Sequence, residues 1–386
     1  MHVLIIPSWY PSDPSDISGS FFREQALALR KHGCQVAVIY PQLRALRNWR
    51  AIVNGKRGIE VENDQSVVTY RSHGTNWFPR IRQGFQYLWV HHGLELFQKY
   101  IKAHGTPDII HAHSMLYAGA LASEIKSRYG VPFIITEHNS AFARDRVSQF
   151  DLVVARKVQM NAVGRYSVSP QFSELLSQIF SNGSLSWSVI PNIVSQEFID
   201  RPLKKSSYSK SFNFLNVALL NENKRQKNII LAFSAVFKEN SNVSLTIGGD
   251  GPQMLALKNL ALSLGVANRV SLPGTLSRQQ VLEKMAATDA FVLSSFYETF
   301  GIVVIEALAL GKPVIATRCG GPESIVRDQD GILVPVDDID SLGKAMRQIY
   351  ENSSEFDSNA IRAACLSRFG ESAIASRLCS IYSEFI

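Results

Sequence analysis

Short apolar runs recur along the chain, and between them apolar positions return every three or four residues. The runs predict buried strands and the spaced stretches predict amphipathic helices. In the first half strands are predicted at 3–6, 35–39, 108–111, 133–136 and 189–190, with helices over 21–30 and 116–129. Gly130 and Pro132 stop the second of these helices. The second half alternates more cleanly, with strands at 212–220, 243–247, 269–272, 290–293, 313–316 and 331–334 and helices over 228–239, 253–264, 278–287 and 300–310. Such alternation implies parallel sheets covered by helices. Residues 196–211, polar and unpatterned around Lys204 and Lys205, read as a linker between domains at 1–195 and 212–365. Residues 366–386 read as a C-terminal helix packing back on the first domain. Two doubly wound domains in series place ligands outside the carboxyl ends of the strands, in a cleft between domains.

Composition agrees with this picture. The 386 residues are 46% hydrophobic and 19% charged, enough apolar mass for two cores and too little charge for a disordered chain. The 24 Gly, 15 Pro and 4 Cys exclude collagen-like and disulfide-scaffold proteins. Cys34, Cys319, Cys365 and Cys379 form no CxxC pair, so neither a zinc site nor a disulfide framework is expected. No apolar run approaches the roughly 20 residues of a membrane span, and the first residues lack the features of a signal peptide, so a cytoplasmic location is expected.

The net charge is +7, and residues 1–195 carry all of it. Much of the excess lies between Arg44 and Arg82, interleaved with Trp49, Trp77, Phe78, Phe85, Tyr87 and Trp89. Basic side chains favour anionic lipid and large aromatics favour the membrane interface, so peripheral contact with an anionic membrane face is expected. No nucleic-acid module is recognisable, and nucleic acid is not an expected partner.

The most informative stretch is Ser294-Ser-Phe-Tyr-Glu298-Thr-Phe-Gly301-Ile-Val-Val-Ile-Glu306. A strand ends near Ser294 and a helix begins near Phe300, whose first amides would bind phosphate. Gly301 permits close backbone approach. Eight residues of helix span about 12 Å, comparable to the distance from a hexose to a ribose across a diphosphate. Glu298 would then hold sugar hydroxyls and Glu306 the ribose diol. Glu306 interrupts an otherwise apolar helix, where an unpartnered buried charge is costly.

This stretch resembles the Glu-x7-Glu motif of retaining glycosyltransferases of family 4, the glycosyl transferases group 1. The resemblance covers nearly the whole chain and implies the α/β GT-B fold, two Rossmann-like doubly wound domains facing a deep interdomain cleft. Gly249-Asp-Gly251-Pro252 matches the family's Gly-x-Gly-Pro, and Gly311-Lys-Pro-Val, Gly320-Gly-Pro-Glu323 and Asp330-Gly-Ile-Leu-Val334 match its later motifs. The family's basic pair is Arg and, five residues on, Lys. Here the Lys is Lys224, while the Arg position holds Leu219, leaving Lys224 alone or assisted by Arg225 or Lys227.

In the first half Gly19 and Ser20 resemble the family's glycine loop beside the donor diphosphate. His111-Ala-His113 resembles its His-x-His, and Pro191-Asn192 its Pro-Asn-Gly turn, with Ile193 for Gly. Thr136-Glu137-His138 resembles its Thr-x-His.

The resemblance implies a retaining, metal-independent transfer from a nucleotide-diphosphate sugar, UDP-linked in expectation, to a glycan or lipid-linked acceptor for surface polysaccharide, with no cofactor. Glu298, Lys224 and His113 would be catalytic. Gly19, Ser20, Lys224, Arg225, Gly249, Glu298, Thr299, Phe300, Gly301, Ile302 and Glu306 would bind the donor, and Glu137, His138 and Arg144 the acceptor. Two other classes stay open. A nicotinamide oxidoreductase would use Gly249-Asp-Gly251 as a dinucleotide fingerprint, but Met254 replaces its third glycine. A non-catalytic nucleotide-sugar binder would account for Leu219. A metal-dependent enzyme would need an Asp-x-Asp pair, and Asp328/Asp330 and Asp338/Asp340 have that spacing in turn-like segments.

Overall fold

The computed structural model describes residues 1–12, 16, 19–180, 186–203 and 211–386, with backbone alone at 48, 49 and 51. The chain divides into two units, residues 1–191 with 374–386, and residues 192–373.

Unit 1 holds an eight-stranded sheet: β1 (His2–Pro7), β2 (Gln35–Ala45), β3 (Gly58–Asp64), β4 (Val67–Asn76), β5 (Ile109–His113), β6 (Phe133–Glu137), β7 (Gly164–Ser167) and β8 (Ser188–Val189). The order is β3-β4-β2-β1-β5-β6-β7-β8, parallel except for the β3–β4 hairpin. The central strands are covered on both faces, which is why Val3, Leu4, Ile5 and Ile6 form an unbroken run with no exposed surface.

Unit 2 holds six parallel strands: β9 (Phe212–Val217), β10 (Val243–Gly248), β11 (Val270–Gly274), β12 (Ala290–Leu293), β13 (Val314–Thr317) and β14 (Gly331–Val334). Their order is β11-β10-β9-β12-β13-β14. Phe214, Phe233, Phe237, Leu245 and Ile247 anchor its core.

The structure departs from the pattern-based expectation in several places. The strand expected at 35–39 runs on to Ala45 because β4 pairs with it as far as Asn76. The β3–β4 hairpin and the following helix Arg82–His104 were not expected, nor were strand β7 and the helices Gln149–Asn161, Pro170–Ile179 and Ile339–Glu351. The hairpin turns on Gln65 and Ser66, both with positive φ (49° and 70°), a geometry that Asn-Gly would have signalled and Gln-Ser does not. The strand expected at 212–220 ends at Val217, leaving 218–220 as loop.

The linker expectation is also corrected. Residues 192–203 belong to unit 2, where Gln196–Asp200 forms a short helix with Phe198 fully buried; residues 204–210 lie outside the described residues. Ser358–Phe369 forms a helix of unit 2, and only the helix after it, Glu371–Ser383, packs from Ile374 onward with unit 1. There Tyr382 Oη and His111 Nδ1 share a buried hydrogen bond of 2.7 Å, and Thr136 Oγ1 meets His111 Nε2 at 2.8 Å. Burial pushes the His111 pKa down to about 3, so the ring is neutral.

Removing the Tyr382 hydroxyl strands a buried ring nitrogen. Tyr382→Phe should therefore cost about 1–3 kcal/mol of unfolding free energy by denaturant titration. Ser380→Ala, on the exposed face of the same helix, should change stability by no more than about 0.5 kcal/mol.

Candidate active site

In unit 2 the chain leaves β9 toward β10 and β11, then returns to build β12, β13 and β14 on the other side. Loops after β9 and β12 flank that switch point, the place where doubly wound sheets bind ligands. The two loops are stitched together. Asn223 Nδ2 donates to the Tyr297 carbonyl at 3.0 Å, Phe296 N–H to the Asn223 carbonyl at 2.7 Å, and Ser294 Oγ to the Lys224 carbonyl at 2.8 Å. From the far side Glu298 N–H donates to the Cys319 carbonyl at 2.8 Å, and Gly321 N–H returns to the Glu298 carbonyl at 2.9 Å.

This bracing presents one ion pair. Lys224 Nζ lies 2.5 Å from Glu298 Oε1, and Ser295 Oγ donates to the same oxygen at 2.6 Å. The two side chains are 23% and 15% exposed, shielded enough to strengthen the attraction and open enough to be reached. Gly301, at φ 102°, starts the helix Ile302–Ala309 beside them.

A second charged group lies on that helix. Glu306 is buried, and Arg278 Nη1 donates to its Oε1 at 2.6 Å. Arg278 Nε also pairs with Glu197, and its guanidinium lies 4.5 Å from the centre of the Phe198 ring. Burial works against the Arg278 charge, but the Glu306 and Glu197 carboxylates outweigh it and raise its pKa.

In unit 1 the corresponding switch lies between β1 and β5. Gly19, at φ 75°, starts the helix Ser20–Lys31, where an added Cβ would meet the Trp9 ring at 2.9 Å. Beneath it His113 Nδ1 and His138 Nε2 share a hydrogen bond of 3.1 Å, with the Phe22 ring 4.5 Å from His113 and 5.0 Å from His138. Desolvation, then the neighbouring His111 and His138, hold the His113 pKa well below its ordinary value.

Two family models account for most of the chain. Residues 18–192 match a glycosyl transferase 4-like domain and residues 199–365 match glycosyl transferases group 1. The chain belongs to this glycosyltransferase family. The glycogen synthase of Mycobacterium tuberculosis is 25% identical over 285 residues, covering 72% of this chain and 68% of the relative. A Bacillus subtilis protein named for teichuronic acid biosynthesis, TuaC, is 27% identical over 366 residues, covering 91% of this chain and 90% of its own. Anabaena Alr3699/HepE, solved in complex with UDP, superposes with a TM-score of 0.73 at 19% identity over the full length of both chains. The fold is GT-B, built from two parallel-sheet α/β domains.

Within this glycosyltransferase, several residues do not sit as the sequence suggested. Glu306 is not an unpartnered charge, because Arg278 neutralises it. Arg278 and Glu197 were missed: each is far from Glu306 in sequence, and the Ser277–Gln280 capping box marks only where the Arg278 helix begins. The Phe300 side chain is core, 5.8 Å from the Phe369 ring, while Thr299 and Ile302 are half-buried on either side of the helix start.

Arg225 is engaged elsewhere, bonded to Glu222, 3.1 Å from Asp337 and 5.3 Å from the centre of the Phe296 ring. Lys227 and Leu219 are exposed.

In unit 1 Glu137 is fully buried rather than at an acceptor mouth. Its carboxylate accepts from the Met115, His138 and Asn139 amides at 2.7, 2.9 and 2.7 Å. Burial nevertheless pushes its pKa up. His113 is likewise fully buried, whereas Ser20 and His138 are half-buried and Arg144 is exposed on the turn after Ser140. Ile17 and Ser18 lie outside the described residues.

Gly249 has a structural reason of its own. Its φ is 137°, and an added Cβ would meet the Ala218 carbonyl oxygen at 1.9 Å. Gly249→Ala should therefore destabilise the nucleotide-free protein by about 2 kcal/mol or more, read as a drop in melting temperature without ligand. A residue needed only for ligand contact would leave that temperature unchanged.

Proposed function

We propose that this glycosyltransferase moves a sugar, with retention, from a nucleotide-diphosphate sugar to a glycan or lipid-linked acceptor of a cell-surface polysaccharide, and that UDP is the carrier. The Lys224–Glu298 pair beside a helix start carries the reading. Support for the donor comes from HepE, solved with UDP and with UDP-glucose, and support for the product from TuaC, whose name places it in teichuronic acid biosynthesis.

An ammonium has three N–H donors. Lys224 spends one on Glu298 and turns the others to the diphosphate. The amides at the start of Ile302–Ala309 add further positive potential. Glu298, held by Ser295, accepts from hydroxyls of the transferred sugar. The acceptor hydroxyl attacks the anomeric carbon from the face the diphosphate leaves. The sugar–oxygen bond to phosphate breaks, and a departing phosphate oxygen takes the acceptor proton. The protein stabilises charge growing on that phosphate and needs no covalent intermediate.

The exposed Leu219, in place of the family's Arg, favours the second reading, a nucleotide-sugar binder without transferase activity. One assay separates them. Donor turnover should be measurable, should survive EDTA because protein groups meet the diphosphate charge, and should fall about 100-fold or more in kcat in Lys224→Ala. Donor binding without turnover would establish the binder, and loss in EDTA with recovery on manganese would overturn the metal-free mechanism.

The site of action is the cytoplasmic membrane face. Among the described residues no helix is long and apolar enough to cross a membrane. Part of the basic stretch is internally satisfied: Arg82 pairs with Asp151, Lys56 with Glu60, Arg44 bonds His73, and Trp89 is buried. Trp77, Phe78, Ile81 and Tyr87 remain exposed, and so do Arg47, Arg57 and Arg80. Co-sedimentation with vesicles should require anionic lipid, fall with salt, and weaken when Arg47, Arg57 and Arg80 become Ala. Equal recovery in the supernatant with neutral and anionic vesicles at low salt would mean a soluble acceptor.

A further inference from the structure

Arg278 belongs to no motif that suggested the site, yet it is gripped from three sides. Glu306 holds Nη1, Glu197 holds Nε, and Phe198 covers the guanidinium face at 4.5 Å. Only a planar, forked cation satisfies such a grip; a lysine ammonium has neither the plane nor the second edge. The side chains of Glu306, Arg278 and Glu197 are 2%, 19% and 35% exposed, so Arg278 and Glu197 are the reachable members.

A buried ion pair is often no more stable than an apolar replacement of similar volume, so its presence here points to use rather than stability. Arg278 bridges two carboxylates and lies against Phe198, which fixes where the Glu306 carboxylate sits. A carboxylate held in one place can accept from the two O–H donors of a vicinal diol.

We propose that Arg278 is the positioning residue for ribose recognition, acting through Glu306. It keeps that carboxylate aimed, and it ties the ribose site to Glu197 in the short helix Gln196–Asp200. The proposal rests on the donor reading given above, in which Glu306 meets the nucleotide's ribose.

Calorimetric titration of the full chain with UDP, 2′-deoxy-UDP and 3′-deoxy-UDP tests it. The wild type should bind UDP at least about tenfold more tightly than the poorer of the two deoxy analogues, the scale of a hydrogen bond to a charged group. Arg278→Met should bring that ratio to within about twofold, and Arg278→Lys should keep part of it. A merely structural Arg278 would lower the melting temperature while the ratio stayed at its wild-type value, and that result would overturn the proposal. Should Arg278→Met fail to fold, Glu197→Gln loosens the same guanidinium. It should shrink the ratio, and an unchanged ratio would equally overturn the proposal. A wild type that binds UDP and both analogues alike would also overturn it. A wild type that binds none of UDP, ADP or GDP would instead reject the donor reading itself.

Discussion

The Lys224–Glu298 ion pair is the contact around which the second unit's ligand end is built. Alone, an exposed lysine and glutamate would contribute little, because water screens them and both side chains lose freedom. Here the backbone holds both residues in place, so only their side-chain freedom is left to lose. Loop 221–225 is bonded to loop 294–298, which is bonded in turn to residues 319–321. Each loop follows a buried parallel strand, and the two strands are neighbours only because the strand order reverses between them. Sheet topology thus delivers a cation and a carboxylate to one point, beside a helix start.

The same rule, that a shielded charge must have an assigned partner, organises the rest of the polar interior. Glu306 is answered by Arg278, Asp330 by Arg368 at 3.2 Å, and Glu137 by three backbone amides. In unit 1 His111 bonds Tyr382 and Thr136, and His113 bonds His138. Burial drives the pKa values of His111 and His113 down, so these two rings carry no charge at neutral pH. Their contribution is directional hydrogen bonding rather than electrostatic attraction.

Most of the fold was legible because parallel strands covered on both faces must be continuous apolar runs, and those runs stand out between helical stretches. Helix 278–287 and strands 290–293 and 331–334 needed no adjustment. What stayed hidden was conformational or long-range. The Gln65-Ser66 turn gives no compositional sign of two positive φ values, so the β3–β4 hairpin went unread. Arg278 meets Glu306 across 28 residues and Glu197 across 81, and no periodicity encodes such pairs. Glu137 was expected at the acceptor because Thr136-Glu137-His138 resembles the family's Thr-x-His. Its burial follows from the loop that folds over it to use its oxygens. Glu298, in the loop before the helix, and Glu306, on the helix, stood out by their spacing along the chain, whereas Arg278 and Glu197, met only through space, did not.

A crystal structure of the protein with UDP bound tests most directly whether the second unit's switch point is the donor site. The diphosphate should lie within hydrogen-bond distance of Lys224 Nζ, about 3 Å, beside the amides that start Ile302–Ala309, with the ribose against Glu306 and Arg278. A well-ordered UDP held by unit 1 instead, with Lys224 and Glu298 still paired and untouched, would contradict it.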